Sequence, residues 1–295
     1  MSNGTLTAGL DLTVAVNGTG TMEIANGTLN VGQVLSVGKN QRAVGRLVMS
    51  DGSLRMINNT RIGDRGGTGT LEMRGGTLIM GGGGNSSEGN GNGSPGLVSM
   101  TGGTLVCNMS LYLGNNASNT FGRFELGGGD VVISNQWVLG NNMFSYGDAV
   151  VSGGTVWVGD DIRMGVSSNT HAFLTVSGGS VTVKDYVDLG FYGTGVLHVA
   201  GGELTAHVLR TTPWGVTNAP TPEIIVSGGR LAVTNIFYFA DAFDSTAKLT
   251  LSGGVFSLPR LWRNRGYVTV LCDGGALEAR RNEDRKSVGE GKSVD

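Results

Sequence analysis

An all-β, right-handed parallel β-helix of about twelve coils, each about 25 residues long with three short strands, is the fold that this sequence predicts. Three observations predict it. A glycine, usually the second of a pair, recurs at positions 4, 27, 52, 76, 103, 129, 154, 179, 202, 229, 254 and 275. Apolar residues keep fixed phases around that anchor, with a period of two. The composition, 53 glycines and 5 prolines in 295 residues with 15% charged side chains, fits neither an ordinary globular enzyme nor a disordered linker.

The first strand of each coil carries inward residues five and three positions before the anchor, as in Leu71 and Met73, Leu174 and Val176, Ile224 and Val226. The second follows at two and four positions after it: Leu78 and Met80, Val156 and Val158, Val181 and Val183. The third lies at eight and ten, in Leu35 and Val37, Leu111 and Leu113, Ile162 and Met164. Alternation with β-branched enrichment describes half-buried strands, and glycine at this density, without a 3.6-residue period, excludes helices. Thr155 and Thr182 are thereby expected to face outward.

Two corners separate the strands. Six residues after the anchor stand Gln33, Asn58, Asn135, Asp160, Asp185 and Asn235, polar side chains suited to turns and expected to form a corner ladder. Eleven residues after it stand Gly38, Gly63, Gly114, Gly140, Gly165 and Gly190, with Ala240 as the near match, where the backbone is expected to take positive φ. A single coil cannot bury its apolar face, so folding requires the stack, and a right-handed crossover is the preferred way to join parallel strands.

One domain, residues 1–281, accounts for the repeat. Within it the glycine-rich segment 81–96 is read as a flexible flap that replaces a third strand. It is not a phosphate loop, because neither Lys-Ser/Thr nor a helix follows it. Met1 already occupies the inward phase before Gly4, so the chain is expected to open mid-coil, as a fragment. Residues 282–295, "NEDRKSVGEGKSVD", lack strand phase and are read as an unstructured, non-native scar resembling translated adapter tails, with a natural charged tail as the alternative.

The formal net charge of −2 gives no basic footprint for nucleic acid and no polybasic membrane patch. No run of about 18 apolar residues offers a membrane span, and no signal peptide opens the chain. His171, His198 and His207 have no Cys or His partner at metal-ligand spacing, so no metal and no cofactor are expected. Cys107 and Cys272 both fall on inward phases seven coils apart, too far for a disulfide, and are expected to be buried free thiols.

Two groups of residues carry the remaining chemistry. Asp160 and Asp161 are expected to stack near Asp185 and Asp188, and neighbouring carboxylates on a β-helix can serve as acid and base in polysaccharide cleavage. Against that reading, no catalytic histidine and no Arg-x-Lys accompany them, and Asp160 and Asp185 continue the corner begun by Asn135. Trp157, Tyr112 and Tyr238 fall on outward phases as candidate binding residues, with Asp160 and Asp185 beside them as weaker candidates.

The segments "GTGTLEMRGGTLIM", "LYLGNN" and "FLTVSGGSVTV…VDLG" resemble the β-strand repeats of autotransporter-type passengers and of large secreted proteins with PEP-CTERM sorting signals. The resemblance spans residues 1–279. It implies export, a cell-surface or extracellular setting, and a non-catalytic stalk or adhesin-like role in a bacterial protein. Surface glycans suit such a role as partners, and other copies of the chain are expected to associate through the unpaired backbone of exposed coil ends. A carbohydrate-binding or polysaccharide-degrading β-helix using the Asp160/Asp161/Asp185/Asp188 face is the alternative.

Overall fold

In a computed structural model, residues 1–81, 86–90, 94–115, 117–212, 220–263 and 266–279 are described, and all regular structure among them is β. The strands pair in parallel, coil upon coil, into a β-solenoid of about ten turns, consistent with a right-handed parallel β-helix.

The register follows the glycine anchor. Leu47, Leu71, Val98, Phe124, Ala149, Leu174, Leu197, Ile224 and Leu249 pair in succession, one per coil, five residues before their anchors. All are buried, and most inward phases of the coils between the two ends are buried with them in one continuous apolar column. Val158 pairs with Val183 inside while Thr182 is exposed. Sizes alternate where they must. Phe124 meets Trp137 edge-on at 5.6 Å, and the next rung supplies Ala149, which leaves room for both rings.

The corner glycines behave as their positions demand. Gly38, Gly63, Gly114, Gly140, Gly165 and Gly190 all have φ between 66° and 72°, and Ala240 holds the same left-handed conformation at 52°. The first strand is longer than the two apolar phases indicate. It starts eight residues before the anchor, as in Thr68–Met73 and Phe121–Leu126, and its second position is a buried residue, in most coils a glycine lying against the corner glycine that ends the preceding coil. Just ahead of it, Asn119, Phe144, Asn169 and Asp244 form a further left-handed turn. The buried hydroxyls of Thr120, Ser145, Thr170 and Ser245 follow, and Thr170 and Ser245 donate back to carbonyls three residues earlier at 2.7 Å.

Three expectations need correction. Residues 86–90 do not leave the sheet: Ser86–Asn90 is a strand paired with both Thr60–Asp64 and Leu111–Asn115, because ladder bonding between two formed rungs requires backbone alone. Residues 82–85 and 91–93 of that segment, like 282–295, lie outside the described residues. Strands in the second half often run unbroken through an anchor, as in Tyr146–Val158 and His171–Leu189, so a coil has three faces but not always three separate strands. The bend is absorbed as a register shift near Ser152. Finally, Cys107 is buried but Cys272 is exposed, since no described rung covers the coil that holds it.

Candidate functional site

The acidic group forms where the sequence placed it. Asp160, Asp161 and Asp185 bring carboxylate oxygens within 4.8 Å of one another at one corner. Two of the three are tied into the coils. Asp161, buried, accepts the Tyr186 backbone N–H at 3.2 Å and the Arg163 guanidinium at 2.8 Å, and Asp160 accepts Gln136 Nε2 at 3.1 Å. The side-chain-to-backbone ladder stands one residue later than expected. Asp11 takes the Val34 N–H, Ser110 the Gln136 N–H, and Asp161 the Tyr186 N–H, each seven residues past its anchor. A period-two pattern cannot locate this step, because at a corner the chain leaves the strand alternation that sets inside from outside.

Asp188 does not join the corner cluster. It sits on the third strand, fully buried, pairing in register with Arg163, and receives two bonds from Arg210 at 2.6 and 2.7 Å. Burial pushes its carboxyl above the ordinary range, against the opposing pull of Arg210. The Arg210 guanidinium lies 4.2 Å from the Tyr186 ring centre, so its other surface is also occupied. What the sequence reads as a potential acid–base pair is thus an alternating ladder of Arg163, Asp188 and Arg210.

The candidate aromatic residues are not brought together. Trp157 is 41% exposed on the second-strand face between Val132 and Thr182. Tyr112 and Tyr238, half-buried, belong to the third-strand face, where Tyr238 stands between Arg210 and Trp262. His198 bonds Ser227 at 2.7 Å and His207 bonds Thr234 at 3.2 Å, neighbours in the following coil and ordinary cross-coil contacts.

A different aromatic group, on the first-strand face, was missed. Phe121 and Tyr146 stack with ring centres 5.2 Å apart, Tyr146 and Phe173 at 5.4 Å, and His171 lies 6.1 Å from Tyr146. Burial and the nearby Asp148 carboxylate raise the Tyr146 hydroxyl above its usual value. Beside the stack, Arg123 bridges Glu125 at 2.7 Å and Asp148 at 2.6 Å. The signal stands in "TFGRF", "SYGDA" and "THAFL", where an aromatic or histidine precedes the small inward residue, three residues ahead of the apolar phases that mark the strand.

No family model, no curated protein and no solved structure matches this chain. Among the described residues, no helix is long and apolar enough to cross a membrane.

Proposed function

We propose that this chain is a non-catalytic, rigid rod segment of an exported bacterial surface or secreted protein, of the autotransporter-passenger or PEP-CTERM-associated repeat type. The supporting observation is the use to which the carboxylates are put. Asp160, Asp161 and Asp188 accept hydrogen bonds from the next or preceding coil or from neighbouring arginines, which is the work of holding coils in register. Hydrolysis or elimination needs instead a carboxylate free to exchange a proton with substrate.

The test is release of reducing or unsaturated ends from polygalacturonate by the parent and by Asp160→Asn combined with Asp185→Asn. The rod reading expects no turnover by either protein and an unchanged fold in the double variant, since Asn135 serves the same corner position. Turnover by the parent that disappears in the double variant would overturn it.

A further inference from the structure

The first-strand face is not uniform. Along Pro95–Met100 the outward residues are Pro95, Leu97 and Ser99; the following rung presents longer groups beside Leu97 and Ser99 and an aromatic ring beside Pro95, and the preceding rung presents a longer group only at Glu72. Phe121, Arg123 and Glu125 pair with them from the following coil, and Thr70 and Glu72 pair with Leu97 and Ser99 from the preceding one. Two depressions of about 200 and 190 Å³ result, and because both include Thr70 and Leu97 they are parts of one furrow along the strand. Phe121, Arg123 and Glu125 wall one side and Glu72 the polar end of the other, two rungs or roughly 10 Å across, and a six-residue strand gives about 20 Å of length.

The lining is amphipathic and electrically balanced. Pro95, Leu97 and Phe121 make one end apolar, while Ser99, Glu72 and Glu125 make the other polar. Of the charged residues that line it, Arg74 and Arg123 are matched by Glu72 and Glu125 through ion pairs, two charges against two, so the furrow has no net charge to attract a polyanion. Phe121 is held from one side by the stacked Tyr146, which in turn rests on Phe173, so the aromatic wall is ordered before any ligand arrives. The backbone of Pro95–Met100 is already paired with both neighbours and offers no edge to an added peptide strand.

We propose that this furrow binds a neutral, linear oligosaccharide. Pyranose rings present C–H faces that suit Pro95, Leu97 and Phe121, and hydroxyls that can donate to Glu72 and Glu125 and accept from Arg123. A binding surface of this kind on a rigid rod goes beyond the spacer role and adds a glycan contact to it.

The full chain is titrated calorimetrically with cellohexaose, mannohexaose and xylohexaose, with hexagalacturonate as the charged comparator. At least one neutral hexamer is expected to bind, and hexagalacturonate at least about tenfold more weakly. Ser99→Trp, which fills the furrow from an outward position, and Phe121→Ala, which removes its wall, should each weaken that binding by about tenfold or more while the melting temperature is retained. If Phe121→Ala melts early, Ser99→Trp alone decides. No binding of any neutral hexamer up to roughly 10 mM, tighter binding of hexagalacturonate, or unchanged binding in Ser99→Trp would overturn the proposal.

Discussion

Thr182 and Val183 are neighbours in the chain and lie on opposite sides of the coil wall, one exposed, the other packed between Val158 and Ala206. Val183→Asp places an unpaired carboxylate in the apolar column and should cost several kcal/mol, about 3 or more, whereas Thr182→Asp should change stability by no more than about 0.5 kcal/mol. Urea denaturation distinguishes them, and equal, mild losses would refute the register. Two carboxylates on the first-strand face make opposite contributions to acid stability. The Arg46 guanidinium bonded to Glu72 holds that carboxyl below its ordinary 4.5, so the stability it contributes is full above that value and is lost as pH falls through the lower folded-state value. Burial holds Asp148 above its ordinary 3.8, so its contribution is full below 3.8 and is lost as pH rises through the raised value. Relative to the parent, Glu72→Gln should therefore show less loss on acidification, and Asp148→Asn less loss as pH rises from 3.8 towards neutrality, when denaturation midpoints are compared across that range. The inward phases were legible from single residues because period two is enforced by the backbone. The partners of Asp161 and Asp188 were not, since they depend on how far each arginine reaches across coils.

At the scale of the element, the corner glycine eleven residues after the anchor is defined by two separate constraints. Gly38 has φ of 70°, and a Cβ there would run into the carbonyl of Thr68, which pairs with Val44 from the next turn. Gly38→Ala should therefore cost more than the roughly 1–2 kcal/mol of left-handed strain alone. Ala240 already carries a side chain in the same conformation, at φ of 52°, and Ala240→Gly should shift stability by about 1 kcal/mol or less, strain relief offsetting the buried methyl. Thermal denaturation of the two variants tests this, and a similar loss in both would mean that the corner is not set by backbone conformation. These corners could be read because the same residue type recurs at the same offset. The turn before the first strand could not, since "NNASNT", "NNMFSY" and "VSSNTH" share little beyond a Ser or Thr near the end. The same gap hid the aromatic stack, whose residues stand directly after that turn. In the 81–96 segment, composition pointed away from a strand that the rungs on both sides impose.

Across the whole molecule each coil touches only the coil before and the coil after, so stability is a sum of coil terms and nearest-neighbour interfaces. The same leucine phase, two residues after the anchor, shows what that means. Leu204 lies between Val181 and Leu231 and is fully buried, whereas Leu6 and Leu277 occupy the first and last described second strands and are 45% and 49% exposed. Sequence gives these three positions one identity, and stacking gives them different energies. Leu204→Ala opens a cavity in a column closed on both sides and should cost about 2–5 kcal/mol, while Leu6→Ala and Leu277→Ala should each cost about 1 kcal/mol or less. Amide hydrogen exchange read coil by coil should follow the same profile, with protection highest around Leu174 to Leu231 and lowest in Thr5–Ala8 and Ala276–Ala279. If the three leucine variants lose stability equally and protection is flat along the axis, the coils unfold as one globular unit, and the nearest-neighbour account of this solenoid fails.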